Sequence, residues 1–338
     1  MVVPAYNAEP YLAAALESVR RQSSAPHALI VVDDGSTDLT ASIARSYGAR
    51  VISGPNGGQA RARNVGVRAS HTPWIAFLDA DDVWRDERLE EQWRALIKAP
   101  GPLVVATDYA YLVDGRIVVD AVLPTFAHYR AMQRRAVAPG VSLVRAADLF
   151  GAIVNGNFVP PSTLLVDRRI FTDQNEYFLV RESLPDGGAE FFIGEDYEWY
   201  LRVLRHTDVL FVETPLLDYR RSPSSSSANG GRLRHGDVVL GDLVRASPGR
   251  YVAGAAEAFA RLRPTQLFET GMRYLRAGDV VRARAMFWAA TRAGHRRSLV
   301  FTAATFPFAA ALPGRRLFDA LFGLWRTRVR PLLRRAAY

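Results

Sequence analysis

Three aspartates, Asp79, Asp81 and Asp82, follow directly on an apolar run in WIAFLDADD (74–82). Carboxylates this close repel one another unless a proton or a cation relieves them. Oxygen ligands of this kind suit Mg²⁺ or Mn²⁺. A second acidic pair, Asp33 and Asp34 in VVDDGSTD (31–38), ends another apolar run. There Ser36 or Thr37 suits a helix cap and Asp38 suits the helix's positive end. A plain strand-to-helix connector explains those three, but gives no reason for two acids at the end of a buried strand. Glu195 and Asp196 open a helical pattern in FIGEDYEWY (192–200), where the helix dipole alone favours acids. Finally, GGQARARNVG (57–66) is a Gly-rich turn entering a helix. Its amides, with Arg61 or Arg63, could face phosphates; the same arginines would equally suit a solvated helix face. Taken singly each motif is modest, because Asp is common in turns and caps.

The elements that must position these residues alternate over the first hundred residues. Residues 2–3, 28–32, 50–53 and 74–78 read as strands, and 9–22, 37–47 and 60–69 as helices with apolar positions on one face. Continuous apolar strands separated by helices predict a parallel sheet covered on both faces. Ligands of such sheets bind outside the carboxyl ends of the strands, where the Asp clusters fall. Residues 101–222 are less regular, with strands expected at 103–106, 117–119 and 209–212 and helices at 146–149 and 196–204. The Ser/Gly run SPSSSSANGG (222–231) is the expected boundary. Everything beyond it reads helical, including a two-helix hairpin at 267–294 around Gly278.

The chain has 338 residues, 49% hydrophobic and 23% charged, the composition of a globular protein large enough to bury a core. With no cysteine, disulfides, thiolate metal sites and Cys nucleophiles are excluded. The start, MVVPAYN, has no basic segment followed by a long apolar one, so no secretory signal is expected and a cytoplasmic location is the default. Residues 231–338 hold 20 Arg against 6 acidic residues, a net charge of +14; the first 230 residues carry −5, and together these make the chain's +9. Lys98 is the only lysine, so codon preference explains Arg over Lys but not the change of sign along the chain. The uncharged run 299–312 has 14 residues, too short for the roughly 20 that span a bilayer. Residues 314–335 interleave aromatic and apolar residues with arginines. Such a helix suits the anionic surface on the inner face of a membrane, or docking on the protein itself. No nucleic-acid-binding module is recognisable, and no nucleic-acid partner is expected.

Read together, VPAYN (3–7), VVDDGSTD (31–38), GGQARARNVG (57–66), FLDADD (77–82), GED (194–196) and YRRSPSS (219–225) resemble family 2 glycosyltransferases of the GT-A fold. The resemblance covers residues 1–225, a nucleotide-sugar-binding half (1–100) and an acceptor half (101–225), with 226–338 as a basic helical extension. It implies a mostly parallel twisted sheet flanked by helices. It implies an inverting, metal-dependent transfer of a sugar, of the hexosyltransferase type, from a UDP- or dTDP-sugar. The acceptor would be a glycan or a lipid-linked hydroxyl, in cell-envelope polysaccharide synthesis. By the same resemblance Pro4, Ala5, Tyr6 and Asp34 line the base and ribose pocket, and Arg63 and Asn64 also contact the donor. Asp81 holds Mn²⁺ or Mg²⁺, and Asp79 faces the ribose or the metal's water shell. Asp196 is the catalytic base, Glu195 orients the acceptor or substitutes for Asp196, and NFVPPS (157–162) is an acceptor-side loop. Where related proteins often read Y-R-x-H-P, this chain has Ser222 at the His position. Two rival readings are a nucleotidyltransferase, for which the turn PAYNAEP lacks a Gly-rich basic fingerprint, and a catalytically inactive GT-A-like binding or scaffold protein, against which Asp81 and Asp196 speak.

Overall fold

Apolar residues at strand spacing and amphipathic helices build the first half as alternating units. Strand β1 (Val2–Ala5) leads through helix α1 (Glu9–Arg20) to β2 (Ile30–Asp33), then through α2 (Thr40–Ser46) to β3 (Arg50–Ser53). Helix α3 (Gln59–Ala69) returns to β4 (Trp74–Ala76). The computed structural model describes residues 1–154, 156–180, 194–221, 230–295, 298, 301 and 302. The chain divides into two compact units, 1–228 with 249–253, and 229–248 with the residues from 254 onward.

In the first unit β1, β2 and β3 pair in parallel, with Asp33 opposite Ala5 and Ser53. A parallel bridge from Val2 to Phe77, with the Leu78 amide donating to the Val2 carbonyl at 3.2 Å, carries the sheet on to β4. Beyond it come β5 (Val83–Trp84), α4 (Arg88–Lys98), the hairpin β6 (Val104–Val113) and β7 (Arg116–Val119), and α5 (Ala127–Ala131). A second hairpin, β8 (Arg135–Ala138) and β9 (Val141–Val144), is followed by α6 (Ala146–Ile153), β10 (Leu165–Asp167), α7 (Arg169–Thr172), α8 (Glu195–Val203) and β11 (Val209–Arg220). The strands order β4-β10-β6-β11-β9-β8, with β5 on β11 and β7 on β6. The expected α/β sheet with parallel strands and flanking helices is present. In this second half only β6 and β11 are parallel neighbours, the other pairs being antiparallel.

Two boundaries differ from the sequence reading. Helix α2 begins at Thr40 rather than near 37, because Asn7 takes the Thr37 amide and Asp38 caps from outside, accepting the Thr40 amide at 3.0 Å. Strand β11, expected to stop at 212, runs on to Arg220. Its register slips on both sides of Pro215, where a residue without an amide proton is accommodated as an irregularity. That detour hides the strand from its alternation pattern and delivers Tyr219 and Arg220 to the sheet's carboxyl edge.

The second unit is helical: α9 (Gly230–Ala246), α10 (Ala255–Arg276) and α11 (Val280–Arg292). The expected hairpin turns at Gly278 (φ +85°), and the Asp279 carboxylate caps α11 by accepting the Arg282 amide at 2.9 Å. Leu275, Ala283, Phe287 and Phe301 form its core. No helix among the described residues is long and apolar enough to cross a membrane. Most of the Ser/Gly boundary run, most of the run 299–312 and the basic segment 314–335 lie outside the described residues.

Close approach of α3 to β1 sets the geometry of the first hundred residues. A Cβ on Gly66 would lie 2.3 Å from Val2 Cγ1, and Val2 sits in the middle of the sheet. Gly66→Ala should therefore lower unfolding free energy by about 1–3 kcal/mol through overpacking, even though alanine returns up to about 1 kcal/mol of helix propensity. A urea midpoint at or above the parent's would show that α3 has room to move.

Candidate active site

The loops at the carboxyl ends of β1 and β2 are stitched together by polar side chains. Asn7 donates its amide to Ser36 Oγ and accepts the Thr37 amide, both at 2.9 Å. The Ala8 amide donates to Thr40 Oγ1 at 2.7 Å, and Glu9 accepts the Leu39 amide at 3.0 Å. The two acids ending β2 have separate structural partners. Asp33 accepts the Ser36 amide at 3.0 Å and closes the DGS turn. Asp34 accepts the amides of Gly57 and Gly58, at 2.9 and 2.7 Å, one on each oxygen. Burial raises the Asp34 pKa, an effect partly offset by those two amides. Pro4 and Ala5 are buried, while the Tyr6 side chain stands 52% exposed beside them.

Arg63 is the hub of the site. Its side chain is 1% exposed, and its guanidinium bonds Asp79 at 2.6 Å and Glu195 at 2.8 Å. Burial disfavours its charge, but Asp79 and Glu195 outweigh that and hold its pKa above the ordinary value. Arg61, by contrast, only reaches the Pro55 carbonyl at 3.0 Å. Asn64, expected to contact the donor, has a structural role in this fold. Asn64 is buried, and its amide group is spent on the Phe178 backbone, donating at 2.8 Å and accepting at 2.9 Å. A sequence signal for this existed: Ala60, Arg63, Asn64 and Val67 recur at the spacing of one helix face, and all four are buried.

The turn after β4 splits its three aspartates by role. Asp82, 1% exposed, accepts Ser162 Oγ–H at 2.6 Å and the Arg220 amide at 2.9 Å. Burial, then Asp81 and Asp79, push its pKa well up. Ser162 Oγ in turn accepts the Asp79 amide at 3.0 Å, and Arg220 Nε donates to the Asp81 carbonyl at 2.8 Å. Neither Ser162 nor Arg220 was singled out from sequence, though both lie in motifs quoted above. Asp81 is half-buried, and no side chain among the described residues hydrogen-bonds to its carboxylate. Burial and the neighbouring Asp79 raise its pKa to about 6.

This donor set fits a hard divalent cation. Asp81 and Asp79 would offer oxygen ligands, and burial and an adjacent charge that a cation would relieve raise the Asp81 pKa. Among the described residues no group of three or more His, Asp or Glu converges. Mg²⁺ commonly takes one or two carboxylates, substrate phosphates and waters, so two protein ligands suffice.

Helix α8 opens at Gly194, whose φ of +131° favours glycine. Asp196 accepts Asn157 Nδ2–H on one oxygen and the Tyr197 amide on the other, both at 2.8 Å. Burial, then the Glu195 charge, raise its pKa to about 7, against the pull of Arg63. Behind this turn Arg202 pairs with Glu198 through two bonds of 2.7 Å, and with Glu176 and the Tyr177 carbonyl. Trp199 Nε1 donates to the Glu176 carbonyl at 2.7 Å. This buried cluster fixes the helix that presents Glu195 and Asp196.

Residues 1–138 match the model of glycosyl transferase family 2. This segment is similar to that family. The chain is 32% identical over 222 residues to the succinoglycan biosynthesis protein ExoU of Rhizobium meliloti, covering 60% of this chain and 56% of ExoU. It is 26% identical over 251 residues to WfgD of Escherichia coli, a UDP-Glc:α-D-GlcNAc-diphosphoundecaprenol β-1,3-glucosyltransferase, covering 72% of this chain and 85% of WfgD. The chain spans about a quarter to a little over half the length of several of these curated relatives, ExoU included. Among solved structures, S. aureus TarS 1–349 in complex with UDP-GlcNAc shares the fold. Its TM-score is 0.58 at 16% identity, over 96% of this chain and 90% of that one. The family 2 segment thus contains the loops of β1, β2 and β4 and the helix bearing Arg63, while Glu195 and Asp196 lie beyond it.

Two outcomes test this electrostatic arrangement. Arg63→Met keeps the stem but leaves Asp79 and Glu195 without their buried partner. It should cost about 3–5 kcal/mol in urea unfolding, and a loss near zero would remove Arg63 as the hub. In the metal-free protein, Asp196 binds its proton more readily folded (about 7) than unfolded (about 3.9). Its contribution to stability is therefore complete below the unfolded value and is lost as pH rises through about 7. Stability should climb from pH 8 to pH 6, and Asp196→Asn should flatten that slope. An unchanged slope would mean that Asp196 titrates normally.

Proposed function

We propose that this protein is an inverting, metal-dependent glycosyltransferase that moves a sugar from a nucleotide diphosphate sugar to an acceptor hydroxyl. The observation that carries the reading is the convergence of the Asp79–Asp81 turn and the Glu195–Asp196 turn on Arg63. That convergence brings the Asp79 carboxylate and the turn bearing the high-pKa carboxylate of Asp196 to one guanidinium, which supports the reading. The match of residues 1–138 to family 2 supports it too. So do the UDP-GlcNAc complex of TarS and the UDP-glucose named for WfgD, which favour a uridine donor. The succinoglycan and diphosphoundecaprenol in the relatives' names favour a glycan or lipid-linked acceptor.

On this reading Tyr6 packs against the base, and Asp34 borders the base pocket while holding the Gly57–Gly58 turn. A divalent cation on Asp81, with Asp79 beside it, would offset the charge of the departing diphosphate. Asn157 and the Tyr197 amide orient the Asp196 carboxylate, and its raised pKa makes it the stronger base for the acceptor's proton. Attack by that hydroxyl in a single displacement inverts the anomeric centre. Glu195, held by Arg63, sets the angle of the helix start.

Asp196→Asn should bind UDP and Mn²⁺ like the parent and lose transfer by about 10²–10⁴, the span expected for a general base. Turnover should rise with pH through about 7 as Asp196 loses its proton. Steady-state rates with a UDP-sugar, and NMR of the product's anomeric configuration, measure both. An active Asp196→Asn, or retention at the anomeric carbon, would overturn the assignment.

A further inference from the structure

We propose that Tyr111, Tyr219 and Arg221 form a subsite, on the acceptor side of the candidate active site, for a pyranose ring that bears a phosphate. The proposal rests on the glycosyltransferase reading above.

Strands β6 and β11 run parallel and bring Tyr111 and Tyr219 into register as neighbours. Their rings lie 6.2 Å apart, both half-buried, over the buried ring of Tyr109 at 5.8 and 5.9 Å. Tyr109 Oη–H donates to the Phe158 carbonyl at 3.2 Å, and the adjacent Asn157 holds Asp196. On the other flank Arg220, the residue after Tyr219, bonds the Asp81 carbonyl. The tyrosine pair therefore stands at the carboxyl ends of parallel strands, where α/β sheets bind ligands. Short bonded paths link it to both the proposed base and the proposed metal turn. The donor-side loops of β1 and β2 contribute nothing to it, which points to the acceptor.

Arg221 supplies the charge. It is exposed, with its guanidinium 4.9 Å from the Tyr111 ring centroid, and it forms no ion pair among the described residues. A guanidinium stacked on a ring keeps its in-plane N–H donors directed outward, in the fork that matches a phosphate. Half-exposed tyrosine rings offer flat apolar area with a polar rim, which suits the C–H face of a pyranose. Ring face and fork together select a sugar phosphate over a neutral sugar or a free phosphate. The same chemistry occurs in the donor, so the test must separate the two sources.

Ligand-observed NMR on the full chain does so, using glucose 1-phosphate, methyl glucoside and inorganic phosphate as probes, with UDP and Mg²⁺ held saturating. Glucose 1-phosphate should still bind with UDP present, and more tightly than either other probe. Arg221→Gln should weaken it about tenfold, the scale of one lost hydrogen bond to a charged group. Tyr111→Leu should weaken it as well, while Tyr111→Phe should retain it, and UDP affinity should stay unchanged throughout. Displacement of glucose 1-phosphate by UDP, or full binding by Arg221→Gln, would overturn the subsite. Equal affinity for inorganic phosphate would remove the pyranose from it. Failure of UDP to bind the parent protein would instead refute the donor reading, with the Arg221 comparison still judging the subsite.

Discussion

A single guanidinium in a water-poor interior organises the candidate active site of this protein. Arg63 leaves α3 and reaches a carboxylate from the turn after β4 and another from the first turn of α8, 16 and 132 residues away in sequence. Burying that charge is costly, and only close, well-directed partners repay it. The requirement runs both ways. Asp79 and Glu195 carry like charge and would repel without Arg63 between them. The position of the Asp79–Asp81 turn and that of the proposed base are consequently one constraint. The Phe178 ring, 5.5 Å from the Arg63 guanidinium, packs the same spot, and Asn64 pins the Phe178 backbone.

Around that hub the polar groups divide into those that build and those that remain available. Asp33, Asp34 and Asp82 look alike in sequence, yet all three accept hydrogen bonds that close turns. The Asp81 carboxylate has no side-chain partner among the described residues, and Asp196 keeps a high proton affinity because it is buried and Glu195 stands beside it. Rigidity elsewhere permits this. The Arg202–Glu198–Glu176 cluster anchors α8 from behind, and α3 is pressed on β1 at Gly66.

The donor-side architecture was legible because its signals are local. Apolar strands ending in acids, a Gly-rich turn and helical spacing fall within short windows, and the parallel sheet follows from their alternation. The acceptor side was less legible because its contacts are distant. Asp82 finds Ser162 and Arg220 at separations of 80 and 138 residues, and no periodicity encodes such pairs. Strand β11 was truncated in the reading because Pro215 breaks its alternation. Asn64 was assigned to the donor by resemblance, although its spacing with Ala60, Arg63 and Val67 already placed it on the buried face. The order of roles within the Asp79–Asp82 turn could come only from seeing which carboxylate is covered.

The Asp82 bridge also bears on how the protein comes into being. Its three partners lie on segments made early, midway and late in synthesis. Contacts of long sequence separation form late because chain entropy must be spent before they reward it. While β11 is still unmade, Asp82 has neither the Arg220 amide nor strand cover, and its turn has no fixed shape. The growing chain thus carries β1 to β4 and their loops well before it carries a closed Asp79–Asp82 turn.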